Sequence, residues 1–165
     1  MTTTTAGDTT ARPTGSTPPT RRPITDQQWE TLLETRALLE HVTVAVGNRA
    51  EVEVAVGTRD PEEAAGRLLD LGVEIVLVKK GAEGVLVASR QGMTTVPPTP
   101  VDVVCGLGAG DAFGAALVHG LLSGWPPQRC GQYANAAGAI VASRLACADA
   151  MPTIDELNNV LGVAR

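Results

Sequence analysis

Three features of this 165-residue sequence predict an α/β fold. β-branched residues alternate over residues 42 to 46, as in a buried strand. Two further strand-like runs, 74 to 79 and 85 to 89, flank a glycine-bearing turn at 81 to 84. Between and after them lie segments whose apolar residues recur with helical spacing. The resulting order of helix, strand, helix and strand is that of α/β proteins.

Thr25 or Asp26 can cap a first helix, whose apolar positions Trp29, Leu32, Leu33 and Leu39 fall mostly on one face and which ends before His41. The strand at 42 to 46 follows. Asp60-Pro61-Glu62-Glu63 combines a capping residue, a proline at the first helical position and a glutamate at the third. Ala64, Ala65, Leu68, Leu69 and Leu71 continue that helix, and Gly72 stops it. A third strand of the glycine-turn region is expected near 94 to 96. Phe113, Ala116, Leu117, Gly120, Leu121 and Gly124 then recur at i, i+3, i+4, i+7, i+8 and i+11, which predicts a helix with one buried face. A second helix over 127 to 145 carries Tyr133, Ala137, Ile140 and Val141, and its many Ala and Gly residues permit close packing. Thr153-Ile154-Asp155-Glu156 has capping-box spacing for a last short helix.

Composition narrows the function classes. Hydrophobic residues make up 44% of the chain, enough for one core, but only 2% are aromatic, so Val, Leu, Ile and Ala must build it. The net charge of −5 offers no basic stripe, and the scarcity of aromatics offers no stacking platform, so nucleic acid is excluded as the expected partner. Residues 1 to 23 form a Thr/Pro-rich tail with almost nothing to bury, and this segment reads as disordered. It lacks the apolar centre of a secretory signal, and Arg144 interrupts the most apolar later stretch, short of the roughly 18 residues that a membrane span needs. A cytoplasmic protein without a membrane partner is expected. Cys105, Cys130 and Cys147 show neither C-x-x-C nor zinc spacing and read as small buried hydrophobes in a reducing compartment.

The most informative stretch is Gly106-Leu107-Gly108-Ala109-Gly110-Asp111. Glycines let backbone N–H groups approach a ligand that a Cβ would hold off, and the helix they open presents unpaired donors to an anion. Asp111 is the only acidic residue between Asp102 and Asp149. A dinucleotide fingerprint is excluded, because Asp111 or Phe113 occupies the third glycine position and no acidic residue follows about 20 positions on. A Walker A loop is excluded because Gly110-Asp111-Ala112 stands where Gly-Lys-Ser/Thr is required. Backbone phosphate donors followed by a carboxylate suit phosphoryl transfer to an alcohol. The bland alternative for Asp111 is a helix cap accepting backbone N–H bonds, worth about 1 kcal/mol.

Gly108-Ala109-Gly110-Asp111-Ala112-Phe113 resembles the second signature of the PfkB (ribokinase-like) carbohydrate kinases. Asn48-Arg49-Ala50-Glu51 has that family's N-x-x-E spacing, and Val78-Lys79-Lys80-Gly81-Ala82-Glu83-Gly84 is similar to its V-K-x-G-x-x-G hairpin; the three occur in the family's order. Residues 41 to 57, 106 to 125 and 135 to 151 most resemble the members that phosphorylate 5-dehydro-2-deoxygluconate in inositol catabolism. One departure is Cys105, where most of the family carries Asp and the inositol-type members usually carry Asn.

The resemblance implies a ribokinase-like three-layer α/β/α fold, of which residues 24 to 165 would be the carboxy-terminal, nucleotide-binding and catalytic part, with the amino-terminal half and lid missing. It implies ATP and Mg2+ as cofactors and a sugar or sugar acid as small-molecule partner. Asp111 would be the catalytic base, with Gly108, Ala109 and Gly110 as the anion hole. Lys79, Gly81, Gly84, Gly106 and Asn135 would bind nucleotide, and Asn48 and Glu51 would hold magnesium through water. Taken alone, Asn48 and Glu51 read as a helix cap and an exposed glutamate, Gly81 and Gly84 as an ordinary turn, and Asn135 as a solvent-facing amide. A lone half leaves a sheet edge unpaired, which invites a homo-oligomer or a complementing amino-terminal half. Two functions are therefore carried forward: an ATP-dependent carbohydrate kinase, and a nucleotide-binding remnant without turnover.

Overall fold

The computed structural model describes residues 37 to 145 and 148 to 163. The expected tail at 1 to 23, the capped start of the first helix and Cys147 lie outside the described residues; only the end of that helix, residues 37 to 39, falls within them. The described elements are β1 (Val44–Asn48), α1 (Arg49–Val56), α2 (Pro61–Asp70), β2 (Ile75–Lys79), β3 (Val85–Ser89), β4 (Gly92–Val96), α3 (Ala109–Leu122), α4 (Pro127–Ala142) and α5 (Ile154–Leu161).

The four strands form one mixed sheet in the order β1-β2-β3-β4. β1 runs parallel to β2, which requires a crossover, and α1 and α2 supply it. The β2–β3 and β3–β4 pairs are antiparallel neighbours joined by short turns. Successive side chains point to opposite faces, so β2 and β3 serve two cores. Leu77, Val85, Val87 and Val96 meet α3, α4 and α5 on one face. Val76, Val78, Leu86 and Ala88 meet α1 and α2 on the other. This explains why β2 and β3 are apolar almost without interruption: both of their faces are buried. The architecture is the expected three-layer α/β/α sandwich.

Helix boundaries follow their caps. Asp60 accepts the Glu63 N–H at 2.8 Å, with Pro61 at the first helical position, as the sequence predicts. Thr153 and Glu156 form the predicted reciprocal box at the start of α5. Several boundaries differ from the sequence reading. β1 begins two residues later, because His41 and Val42 donate to Leu38 and Leu39 in the turn that ends the preceding helix. Gly124 does not continue α3; its φ of 69° belongs to the turn after Leu122, where the Trp125 N–H returns to the Gly120 carbonyl. α4 stops at Ala142, since the Ser143 hydroxyl donates to Ile140 O and the Arg144 guanidinium is drawn to Ala150 O and Glu156. β4 begins at Gly92, two residues before the expected Thr94.

α3 and α4 pack closely, as the small residues of α4 predict. A Cβ on Gly120 would lie 2.9 Å from Cys130 Sγ, and one on Gly138 would lie 3.1 Å from the Ala109 carbonyl oxygen. Cys130 is fully buried, and burial pushes its thiol pKa up. Cys105 is only half-buried, contrary to expectation, because it lies in the loop before α3 rather than beneath a helix. Two of the scarce aromatics, Trp125 and Tyr133, pack together. Trp125 carries the Arg129 guanidinium 4.3 Å above its ring and packs against Tyr133, whose hydroxyl reaches Asn158 in α5 at 2.7 Å. No helix among the described residues is long and apolar enough to cross a membrane.

Candidate functional site

The carboxyl ends of β1 and β2 lie side by side, with Asn48 in register with Lys79. Open α/β sheets place ligands beyond that end of their strands. Three irregular segments converge there: the β2–β3 turn, the loop following β4, and the glycine turn that opens α3. Together they enclose a cleft of 650 Å³.

The β2–β3 turn is built for close backbone approach. Lys80 and Gly84 close it through a 2.8 Å N–H to carbonyl bond, and Gly81 and Gly84 have φ of 64° and 85°. Gly84 has a second reason to lack a side chain, since a Cβ there would overlap the Val96 carbonyl oxygen of β4. Lys79, the last residue of β2, holds its ammonium 5.9 Å over the Phe113 ring and 3.9 Å from Glu51 Oε2.

The start of α3 departs from an ordinary capped helix. Its N-cap is Gly108 at φ 83°, and no side chain caps it. Asp111 occupies the third helical position, is exposed, and its carboxylate makes no hydrogen bond or ion pair among the described residues. The capping alternative for Asp111 is therefore not what the structure forms. The Ala109 N–H reaches Gly106 O at 3.3 Å, and the first helical bond runs from Ala112 to Gly108 O. The N–H groups of Gly108, Gly110 and Asp111 have no partner among the described residues. A Cβ on Gly110 would meet nothing within 4 Å, so that glycine keeps the approach to these donors open.

Asn48 ends β1 and caps α1, its Oδ1 accepting the N–H groups of Ala50 and Glu51 at 2.9 and 3.0 Å. Glu51 completes the box, with Oε2 2.7 Å from the Asn48 N–H. The cap reading of this pair is thus realised in the geometry. It leaves Glu51 Oε1 uncommitted on a side chain that is 57% exposed. Among the described residues no group of three or more His, Cys, Asp or Glu could by itself hold a metal ion. Asn135 donates its amide to Pro97 O at 3.0 Å, pinning the loop after β4 to α4, while its Oδ1 is without a partner among the described residues.

Of the residues singled out from sequence, Asn48, Lys79, Gly81, Gly84, Ala109, Gly110 and Asn135 line the cleft together. Glu51, Gly106, Gly108 and Asp111 are not among its lining residues. The cleft also has an apolar wall that sequence reasoning missed: Pro98 to Val101, Val103, Phe113, Ala139 and Ala142. The run Pro97-Pro98-Thr99-Pro100 is the one signal that could have suggested it, since consecutive prolines hold a segment extended without strand pairing.

A model of the pfkB family of carbohydrate kinases matches residues 3–154. This chain belongs to that family. Among its pfkB relatives, a 5-dehydro-2-deoxygluconokinase of Geobacillus thermodenitrificans is 34% identical over 146 residues, covering 85% of this chain and 43% of the relative. A ribokinase of Arabidopsis thaliana, solved with ribose and ATP, superposes with a TM-score of 0.70 at 25% identity over 76% of this chain and 43% of that one. An aminoimidazole riboside kinase of Salmonella enterica, solved with its riboside and an ATP analogue, gives 0.72 at 27% identity, covering 81% and 47%. The chain therefore spans less than half the length of these pfkB relatives.

Proposed function

We propose that residues 24 to 165 form the nucleotide-binding and catalytic part of a cytoplasmic kinase. It transfers the γ-phosphoryl group of ATP to a hydroxyl of a sugar or sugar acid, with 5-dehydro-2-deoxygluconate as the leading acceptor. The observation that carries this reading is the uncapped start of α3, where an unpartnered Asp111 carboxylate stands beside the free amides of Gly108, Gly110 and Asp111. Family membership and the two ATP-type complexes among similar structures support it, and the acceptor rests on the 34% identical relative.

In this mechanism the acceptor oxygen bonds to the γ-phosphorus, the bond from that phosphorus to the β–γ bridging oxygen breaks, and ADP leaves. The hydroxyl proton passes to Asp111. The amides of Gly108, Gly110 and Asp111 bind the oxygens of the moving group, and positioning and electrostatics carry most of the rate. Ala109 shapes the turn, its own amide being directed to Gly106. Lys79 faces the phosphates, while Gly81, Gly84 and Gly106 admit the nucleotide to the backbone and Asn135 borders its base. The uncommitted oxygen of Glu51, together with Asn48, would hold a nucleotide-bound magnesium ion through water, and that ion would supply charge neutralisation at the phosphates.

A second reading, nucleotide binding without turnover, is favoured by one observation: Asp111 is exposed and is not among the residues that line the cleft. Calorimetry with Mg-ATP and an assay of ATP-dependent phosphorylation of 5-dehydro-2-deoxygluconate separate the two. Asp111→Asn should lower turnover by about 10²- to 10⁴-fold while leaving ATP affinity unchanged. ATP binding without any turnover by the unaltered chain supports the second reading, and full activity of Asp111→Asn removes the catalytic assignment.

A further inference from the structure

β1 and β2 run side by side as far as Asn48 and Lys79, the last pair in register, and then part. β1 passes straight into α1, while β2 passes into the glycine turn of residues 80 to 84. Asn48 borders the cleft from the first path, and Gly81, Ala82 and Gly84 border it from the second. Beyond the last paired residues the ladder no longer sets the distance between the two paths. A side-chain bond crosses the gap there: Arg49 Nη2, on the first residue of α1, donates to Glu83 Oε1 in the turn at 2.8 Å. Neither Arg49 nor Glu83 lines the cleft, yet Asn48 precedes the one, and Ala82 and Gly84 flank the other. Both residues can therefore act on a ligand only through their neighbours.

We infer that Arg49 and Glu83 are positioning residues, a tie that holds the glycine turn against the start of α1 and so keeps the turn's backbone in place for the nucleotide. The assignment rests on the nucleotide reading of the cleft. The turn's own bonds, from Lys80 to Gly84, from Glu83 to Lys80 and from Gly84 to Gly81, fix its shape but not its place relative to α1. On the β4 side Lys80 Nζ anchors it to the Thr95 hydroxyl at 3.1 Å, and on the α1 side Arg49 does so. Arginine suits the task, because its planar fork holds a carboxylate in one orientation. Fold stability does not explain the pair. Its side chains are 41% and 62% exposed, where ion pairs contribute little, and Arg49 Nε is shielded from solvent without a partner among the described residues, which is itself unfavourable. What the tie supplies is order in a short turn before the ligand arrives, and order present beforehand is not charged against binding.

Calorimetry of the full chain with Mg-ATP tests the tie through the sign of one effect. ATP is an anion, so removing the Glu83 carboxylate strengthens binding if only charge matters, whereas loss of the tie weakens it. Glu83→Ala and Arg49→Ala should each weaken binding by about two- to five-fold, the range that exposed ion pairs span. The double variant should fall well short of the product of the two losses, and Arg49→Lys, which keeps the charge and can still reach a carboxylate, should recover part of its loss. Amide exchange at Lys80, Glu83 and Gly84 should quicken in both alanine variants while their melting temperatures stay put. Arg59→Ala, which breaks another exposed pair, with Glu53, should leave affinity unchanged. Equal or tighter ATP binding by Glu83→Ala, or unaltered exchange in the turn, overturns the assignment, as does a variant that loses affinity only along with its fold. If the unaltered chain binds no Mg-ATP, the nucleotide reading itself falls and takes the tie's role with it, an outcome distinct from the failure of the tie alone.

Discussion

Gly84, which lines the cleft, shows how a single position can carry structure and chemistry at once. Gly84 combines a left-handed φ of 85° with a backbone contact to β4 that leaves no room for a Cβ. Gly84→Ala therefore meets both a conformational penalty and a clash with rigid main chain. We expect a loss of at least about 2 kcal/mol, measured by urea unfolding, together with weakened ATP binding, because the turn that borders the cleft must move. Gly81→Ala faces the φ penalty alone, since its Cβ would meet open space, and should cost less. Asp111 was legible as a candidate because the glycines before it and the absence of other acids near it are written in the sequence. That it does not cap α3, and that the Ala109 amide is spent on Gly106, was not legible: both depend on backbone torsions of a glycine turn that side-chain identity leaves free.

At the scale of elements, the strongest signals were local. Asp60-Pro61-Glu63 and Thr153-Glu156 announce helix starts through side chains that bond to their own backbone, and both caps form. β2 and β3 were visible because strands buried on two faces must be apolar throughout. The Pro98-to-Val103 wall of the cleft was not visible, having neither period, and its placement depends on long-range bonds, from Asn135 to Pro97 and Thr99 and from the Val104 and Cys105 N–H groups to the Ala142 carbonyl. The α5 cap also predicts a pH response. The Thr153 N–H, followed by the Arg144 guanidinium, holds the Glu156 carboxyl below its ordinary value of 4.5. Its folded pKa is thus lower than its unfolded one, so the stabilisation is present in full above pH 4.5 and is lost as pH falls through the folded value. Glu63, held down by Thr58 and then Arg67, acts in the same direction. Melting temperature should decline below about pH 4.5, and Glu156→Gln should shrink the part of that decline due to α5; an identical pH profile for the variant would refute the assignment.

For the whole molecule, the two cores lie back to back on one sheet, and the candidate site occupies the rim where both strand ends and both glycine turns meet. The three-layer class followed from the alternation of periods along the chain. The outer position of β1 among the described strands did not, because strand order is decided by pairing between distant segments. That order has a kinetic meaning. β2, β3 and β4 are sequential neighbours joined by tight turns, whereas β1 reaches β2 only after residues 49 to 74 have been laid across the sheet. Closing the longer loop costs more chain entropy before any contact rewards it. The meander should therefore assemble early, with β1 added on the downhill side of the folding barrier. Truncating Leu86 should slow refolding, whereas Val44→Ala should chiefly hasten unfolding, a partition that stopped-flow chevrons would resolve.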